Sequence, residues 1–131
     1  MQNMTGYNAY RNNSVNYASK DQLLLMLVDG AVKFSKIALK SMEDNNVSIV
    51  HENLLKTQNI FNELIVTLDV NAGGEWAMNL RNVYIFIVES LTKINFSKSK
   101  EELEKLMPVI VEVRDLWHEA YNKSKGGIVG V

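Results

Sequence analysis

Apolar residues recur along this chain in alternating steps of three and four. Leu24, Leu27, Ala31, Phe34 and Ala38 form one such seam, and Val47, Val50, Leu54, Thr57, Phe61, Leu64 and Leu68 form a second, with one Thr. Ala77, Leu80, Tyr84, Ile87, Leu91 and Ile94 form a third, and Leu103, Leu106, Ile110, Val113, Trp117 and Ala120 a fourth. This step keeps each set on one helical face. Four such segments of about 20 residues predict four helices, each roughly 30–35 Å long. Short connections make sequence neighbours antiparallel, so the fold class is all-α: an antiparallel four-helix bundle, with an N-terminal arm or short extra helix ahead of it.

Boundary signals agree with the seams. Ser19 with Gln22, and Ser99 with Glu102, have the capping-box spacing. "EDNN" at 43–46 interrupts the first seam and "INFSKS" at 94–99 the third. Pro108 lies inside the fourth, where it removes one backbone bond; the seam runs on in phase beyond it, so a kink is expected, not an end. The domain division is an arm over 1–18, a bundle over 19–123 and a flexible tail over 124–131, which holds three glycines beside Ile128, Val129 and Val131.

Gly73-Gly74 is the feature that first suggests an enzyme. A phosphate-cradling loop follows a strand and commonly continues Gly-Lys-Ser/Thr. Here a helical pattern precedes the pair, and Glu75-Trp76 follows it. A carboxylate at that place repels phosphate, whereas Gly is a favoured helix stop and Glu75 suits the first turn of the next helix. The pair is therefore read as a joint between the second and third helices.

Composition narrows the function. Fourteen Lys and Arg against fifteen Asp and Glu leave a net charge of −1 over 131 residues, with no basic run, so nucleic acid is not an expected partner. The longest apolar run, Leu23 to Val28, is too short to insert into a membrane. The sequence holds no cysteine and shows no signal-peptide pattern, which points to the cytoplasm. A single proline suits helices better than a sheet protein rich in turns.

No catalytic set is complete. "HENLL" at 51–55 has Leu55 where the second zinc-binding His is required. Asp115 and His118 have the spacing of an exposed ion pair one turn apart and lack the further carboxylates of a di-iron bundle. No catalytic residue, metal ligand, cofactor or small-molecule substrate is assigned. The alternative kept open is a histidine phosphotransfer bundle using an exposed His such as His51.

What distinguishes the chain is apolar surplus. Beyond its seam, helix one carries Leu23, Leu25, Met26, Val28, Val32, Ile37, Leu39 and Met42, and helix three carries Trp76, Met78, Val83, Ile85, Phe86 and Val88. Second core rows account for about half of these. "VYIFIV" at 83–88 is apolar right around the helix, so one face must be covered or offered to a partner. Met26 and Met78 suit variable partner shapes. Leu23, Met26 and Leu27 on helix one, and Trp76, Met78, Leu80, Val83, Ile85 and Phe86 on helix three, are the candidate partner-binding residues. Gly30 joins them, because a glycine within an unbroken helical pattern admits close approach of a neighbouring chain. Tyr7 and Tyr10 complete the set: an otherwise polar arm with tyrosines is suited to lie over an apolar groove.

The stretches "NAYRNNSV" (8–15), "LLLMLVDGAVKF" (23–34), "NELIVTLDVNAGGEWAMNL" (62–80), "VY" (83–84) and "LWHEA" (116–120) resemble the flagellar secretion chaperone FliS family, over about residues 8 to 121. The chain differs at Lys20, where that family has Pro, and at Val83, where it has Leu. The resemblance implies a cytoplasmic helical-bundle export chaperone. It further implies two partners, the disordered C-terminal segment of flagellin, which the chaperone keeps from polymerising early, and a component of the flagellar type III export gate.

Overall fold

The computed structural model describes residues 19–130, and side-chain surroundings through residue 124. Four helices follow in order: α1 (Lys20–Glu43), α2 (Val47–Thr67), α3 (Val70–Ser97) and α4 (Lys100–Gly130). The described residues contain no strand.

Local chemistry sets the ends. Ser19 caps α1 through a complete capping box: Gln22 N–H donates to Ser19 Oγ at 3.1 Å, and Ser19 N–H donates to Gln22 Oε1 at 3.0 Å. Asn45 takes a left-handed φ of 58° after α1, and Asn46 caps α2 by accepting from Ile49 N–H at 3.3 Å. The second expected box is only half made. Glu102 N–H donates to Ser99 Oγ at 3.2 Å, but Ser99 N–H donates to Ser97 Oγ, not to Glu102. Lys98, at φ 57°, turns the chain between α3 and α4.

The joint between α2 and α3 is more elaborate than a glycine stop. Helix α2 ends at Thr67, before the glycines, and Leu68 is extended. Asp69 then caps a new turn by accepting from Ala72 N–H at 3.0 Å. Gly74, at φ 62° and ψ −141°, breaks that turn from the body of α3. Only glycine adopts such a backbone without strain. Gly73 is needed for a different reason: a Cβ there would lie 2.5 Å from the Cβ of buried Ala77.

Pairings across the helices establish direction. Asp29 and Glu43 of α1 meet His118 and Lys100 of α4, so one number rises as the other falls. Likewise His51 and Phe61 of α2 meet Asn95 and Tyr84 of α3. All neighbours are antiparallel. Helix α1 packs on α2 and α4, α2 packs on α3, and the α3–α4 seam is the loosest of the four.

The third seam is buried completely, from Ala77 to Ile94. The second has two exceptions: Val47 begins α2 and stands exposed, and Leu68, just past its end, is only partly buried. The first is joined in the core by Val28, Val32, Ser35 and Ser41, so α1 buries a face wider than one seam. Each large apolar side chain such as Phe61, Leu64 or Ile87 contributes roughly 1.5–3 kcal/mol of burial energy. Ser35 and Thr57 lie at the α1–α2 contact with their hydroxyl oxygens 3.4 Å apart, and Thr57 also donates to Asn53 C=O at 3.0 Å. No buried side-chain polar atom among the described residues lacks a partner.

Helix α4 runs on through Pro108, which is exposed, while Leu106 and Ile110 on either side are buried. Its helical backbone continues to Gly130, over the stretch that the sequence assigns to a tail.

Candidate functional site

Helix α3 spends its seam on the core and still has apolar side chains to spare. Trp76, Met78 and Phe86 are about half exposed, and Val83 and Ile85 are partly exposed. They do not form one stripe. Trp76 and Val83 are seven apart and share the flank toward α4, where Trp76 meets Trp117. Met78 and Ile85, also seven apart, share a second line on the helix, away from that flank. Phe86 also stands exposed, off the buried seam. The surplus of α3 therefore lies along two lines of the helix surface.

The flank toward α4 carries ordered aromatic packing. The Trp76 and Trp117 rings meet edge to face, with centroids 5.9 Å apart and planes at 82°. Trp117 Nε1–H donates to the Tyr84 hydroxyl at 2.8 Å. Tyr84 leans in turn on Phe61 of α2, with centroids 5.9 Å apart. Burial pushes the Tyr84 hydroxyl pKa up to about 12, against a smaller lowering by the Trp117 bond. With its indole N–H occupied by Tyr84, Trp117 presents ring and not a donor. The site is shaped for apolar contact.

The remaining sequence candidates are placed as follows. Leu27 and Leu80 are buried in the core, at 6% and 7% exposure, and offer almost no side-chain surface. Leu23 is half-buried against the core, and Met26 is at the margin of exposure on the outer face of α1. Gly30 is approached by α2: a Cβ there would lie 3.4 Å from Ile60 Cδ1 and 3.6 Å from Phe34 Cε2. Tyr7 and Tyr10 lie outside the described residues. Of the α1 surplus, Val28 and Val32 are core residues.

Sequence reasoning missed other exposed apolar positions. Phe96, at 94% exposure, ends α3, and Val66 and Leu55 lie on the outer face of α2. All three fall off the seams, which was a readable signal. Trp117 was assigned to the fourth seam, and only the packing shows it half-buried beneath Trp76.

The histidines are committed elsewhere. His51 Nδ1 lies 3.0 Å from Asn95 Nδ2. His118 does not pair with Asp115 as its spacing suggests. Its Nε2 lies 2.7 Å from Asp29 Oδ1 on α1, while Asp115 takes Arg114 at 3.0 Å. A tertiary neighbour displaced the local partner because α1 brings its carboxylate within direct hydrogen-bond reach. No three His, Cys, Asp or Glu of the described residues group as metal ligands. No helix of the described residues is long and apolar enough to cross a membrane.

Comparison with known proteins supplies the context of this surface. Residues 1–124 match the family model described as Flagellar protein FliS. The chain is 32% identical over 119 residues to the flagellar secretion chaperone FliS of Bacillus subtilis, across 91% of this chain and 88% of that protein. It is 30% identical over 122 residues to the flagellar secretion chaperone FliS of Campylobacter jejuni, across 93% and 95% of the two chains. The protein of the same name from Salmonella typhimurium is 30% identical over 129 residues, across 95% and 96%.

Proposed function

We propose, since the chain belongs to the FliS family of flagellar proteins, that it is a cytosolic export chaperone whose client is the disordered C-terminal segment of flagellin. The observation that carries this reading is the apolar surplus on α3, with Trp76, Met78 and Phe86 exposed on a helix whose seam is already spent on the core. A client segment that passes over α3 covers these side chains. Burying two or three such side chains gives roughly 1.5–3 kcal/mol each, less the cost of ordering the segment. Holding that segment keeps it from pairing with other flagellin molecules, and delivery to an export gate component follows as the second step. The arm with Tyr7 and Tyr10 serves as a cover that the client displaces, which lowers apparent affinity by the closed fraction.

Calorimetric titration with a flagellin C-terminal peptide tests this. A stable complex is expected, with tighter binding after removal of residues 1–16. Absence of a complex, or phosphate transfer to His51 or His118 from a phosphorelay donor, would overturn the reading. Weaker binding after truncation would make the arm part of the site and not its lid.

A further inference from the structure

The groove between α1 and α2 combines positive charge with an apolar floor, which the flanks of α3 do not. Phe34 lies half-buried there, and two ammonium groups stand over its ring: Lys33 Nζ at 5.9 Å from α1, and Lys56 Nζ at 5.1 Å from α2. One turn before Phe34, Gly30 carries no side chain, so its backbone continues the floor beside Ile60. Lys56 shares Glu52 at 3.3 Å. Among the described residues, Lys33 has no carboxylate partner within ion-pair distance.

We propose that this groove docks an acidic amphipathic segment of a partner protein. An aliphatic side chain of the partner rests on Gly30 and Phe34, and its carboxylates reach Lys33 and Lys56. Charge decides the class of partner. A lysine held over an aromatic face is already partly ordered and partly desolvated, so a carboxylate gains more from it than from a freely solvated lysine. A basic segment meets repulsion along the same line. The apolar floor favours a peptide over a nucleic acid, whose phosphates have no use for Gly30 and Phe34. The inference goes beyond tail binding on α3: it concerns another face, and either can fail without the other.

The test is nuclear magnetic resonance titration of the labelled full-length protein with two synthetic amphipathic peptides of about 16 residues, long enough for four helical turns. They share one apolar pattern and carry glutamate or lysine at the polar positions. The glutamate peptide is expected to bind, with shifts at Gly30, Lys33, Phe34 and Lys56, and the lysine peptide is not. Binding should weaken about tenfold or more in high salt and in K33E/K56E. K33Q/K56Q, milder and equally exposed, should show a smaller loss if the charge-reversed variant misfolds. W76A should bind the acidic peptide as the wild type does. Equal binding of both peptides, shifts confined to α3, or no binding overturns the proposal. So does a single-stranded oligonucleotide that perturbs the same residues at higher affinity than the acidic peptide.

Discussion

The indole N–H of Trp117 donates to the hydroxyl of Tyr84 at 2.8 Å, across the loosest seam of the bundle. Tyr84 is 1% exposed and belongs to the core, whereas Trp117 is only half-buried and supports Trp76. Removing the hydroxyl leaves a partly buried donor unpaired. Tyr84→Phe is expected to cost about 1–2 kcal/mol in urea unfolding. A loss near zero would mean that water replaces the bond.

Tyr84 also makes stability fall at alkaline pH. Its pKa is raised in the folded protein from 10.0 to about 12, so the folded state keeps the proton longer than the unfolded chain. The contribution is fully present below pH 10.0 and is lost as pH rises toward about 12. Other groups titrate in the same window, so the comparison must be with Tyr84→Phe, which lacks this slope. The stability gap between wild type and variant should narrow across that range.

Three glycines should respond differently to alanine. Gly30→Ala places a methyl in van der Waals contact with Ile60 and Phe34, and adds helix propensity; a gain of up to about 1 kcal/mol is expected. Gly74→Ala must hold φ 62° and ψ −141°, at a cost of about 1–3 kcal/mol. Gly73→Ala collides with Ala77 and should also destabilise. Thermal melts of the three variants check the order. A destabilised Gly30→Ala would show that the α1–α2 contact at Ile60 cannot give by the small distance needed.

The Asp29–His118 pair joins α1 to α4 at 2.7 Å, but both side chains are substantially exposed, at 52% and 39%. A double-mutant cycle with Asp29→Asn and His118→Ala should return a coupling of only about 0.2–1 kcal/mol. A much larger value would assign the pair a share in closing the bundle that its exposure does not suggest.

Met78→Ser and Phe86→Ser separate binding from folding. Both side chains are more than half exposed, so each change should move stability by no more than about 0.5 kcal/mol. Under the proposed function, the double variant should lower affinity for the flagellin tail about tenfold or more. Unchanged affinity in calorimetry would place the client elsewhere on the bundle.

The third seam shows how much of the fold was legible in one dimension. Six residues at helical spacing, Ala77 to Ile94, are all buried, because that spacing holds them on one side of the helix, which the bundle covers as a unit. The caps at Ser19 and the break at 43–46 were legible for a similar reason, since they rest on bonds between residues a few positions apart. The site was less legible. Leu27 and Leu80 lie on the first and third seams and are also among the surface candidates; both are buried, whereas off-seam Met78 and Phe86 are exposed.

What the sequence determined by itself, then, was what local periodicity and nearest-neighbour chemistry control: four helices with the apolar seam of each, the cap at Ser19 and the break at 43–46. Tertiary structure decided everything that depends on which helix lies beside which. It gave His118 to Asp29 and not Asp115, set Trp117 under Trp76, drew Ile60 against Gly30, and left Trp76, Met78 and Phe86 of α3 exposed. Spacing along one helix says which side chains share a face, but not which neighbour that face will meet. That neighbour is selected by the packing of all four helices together, through contacts between residues tens of positions apart in the chain.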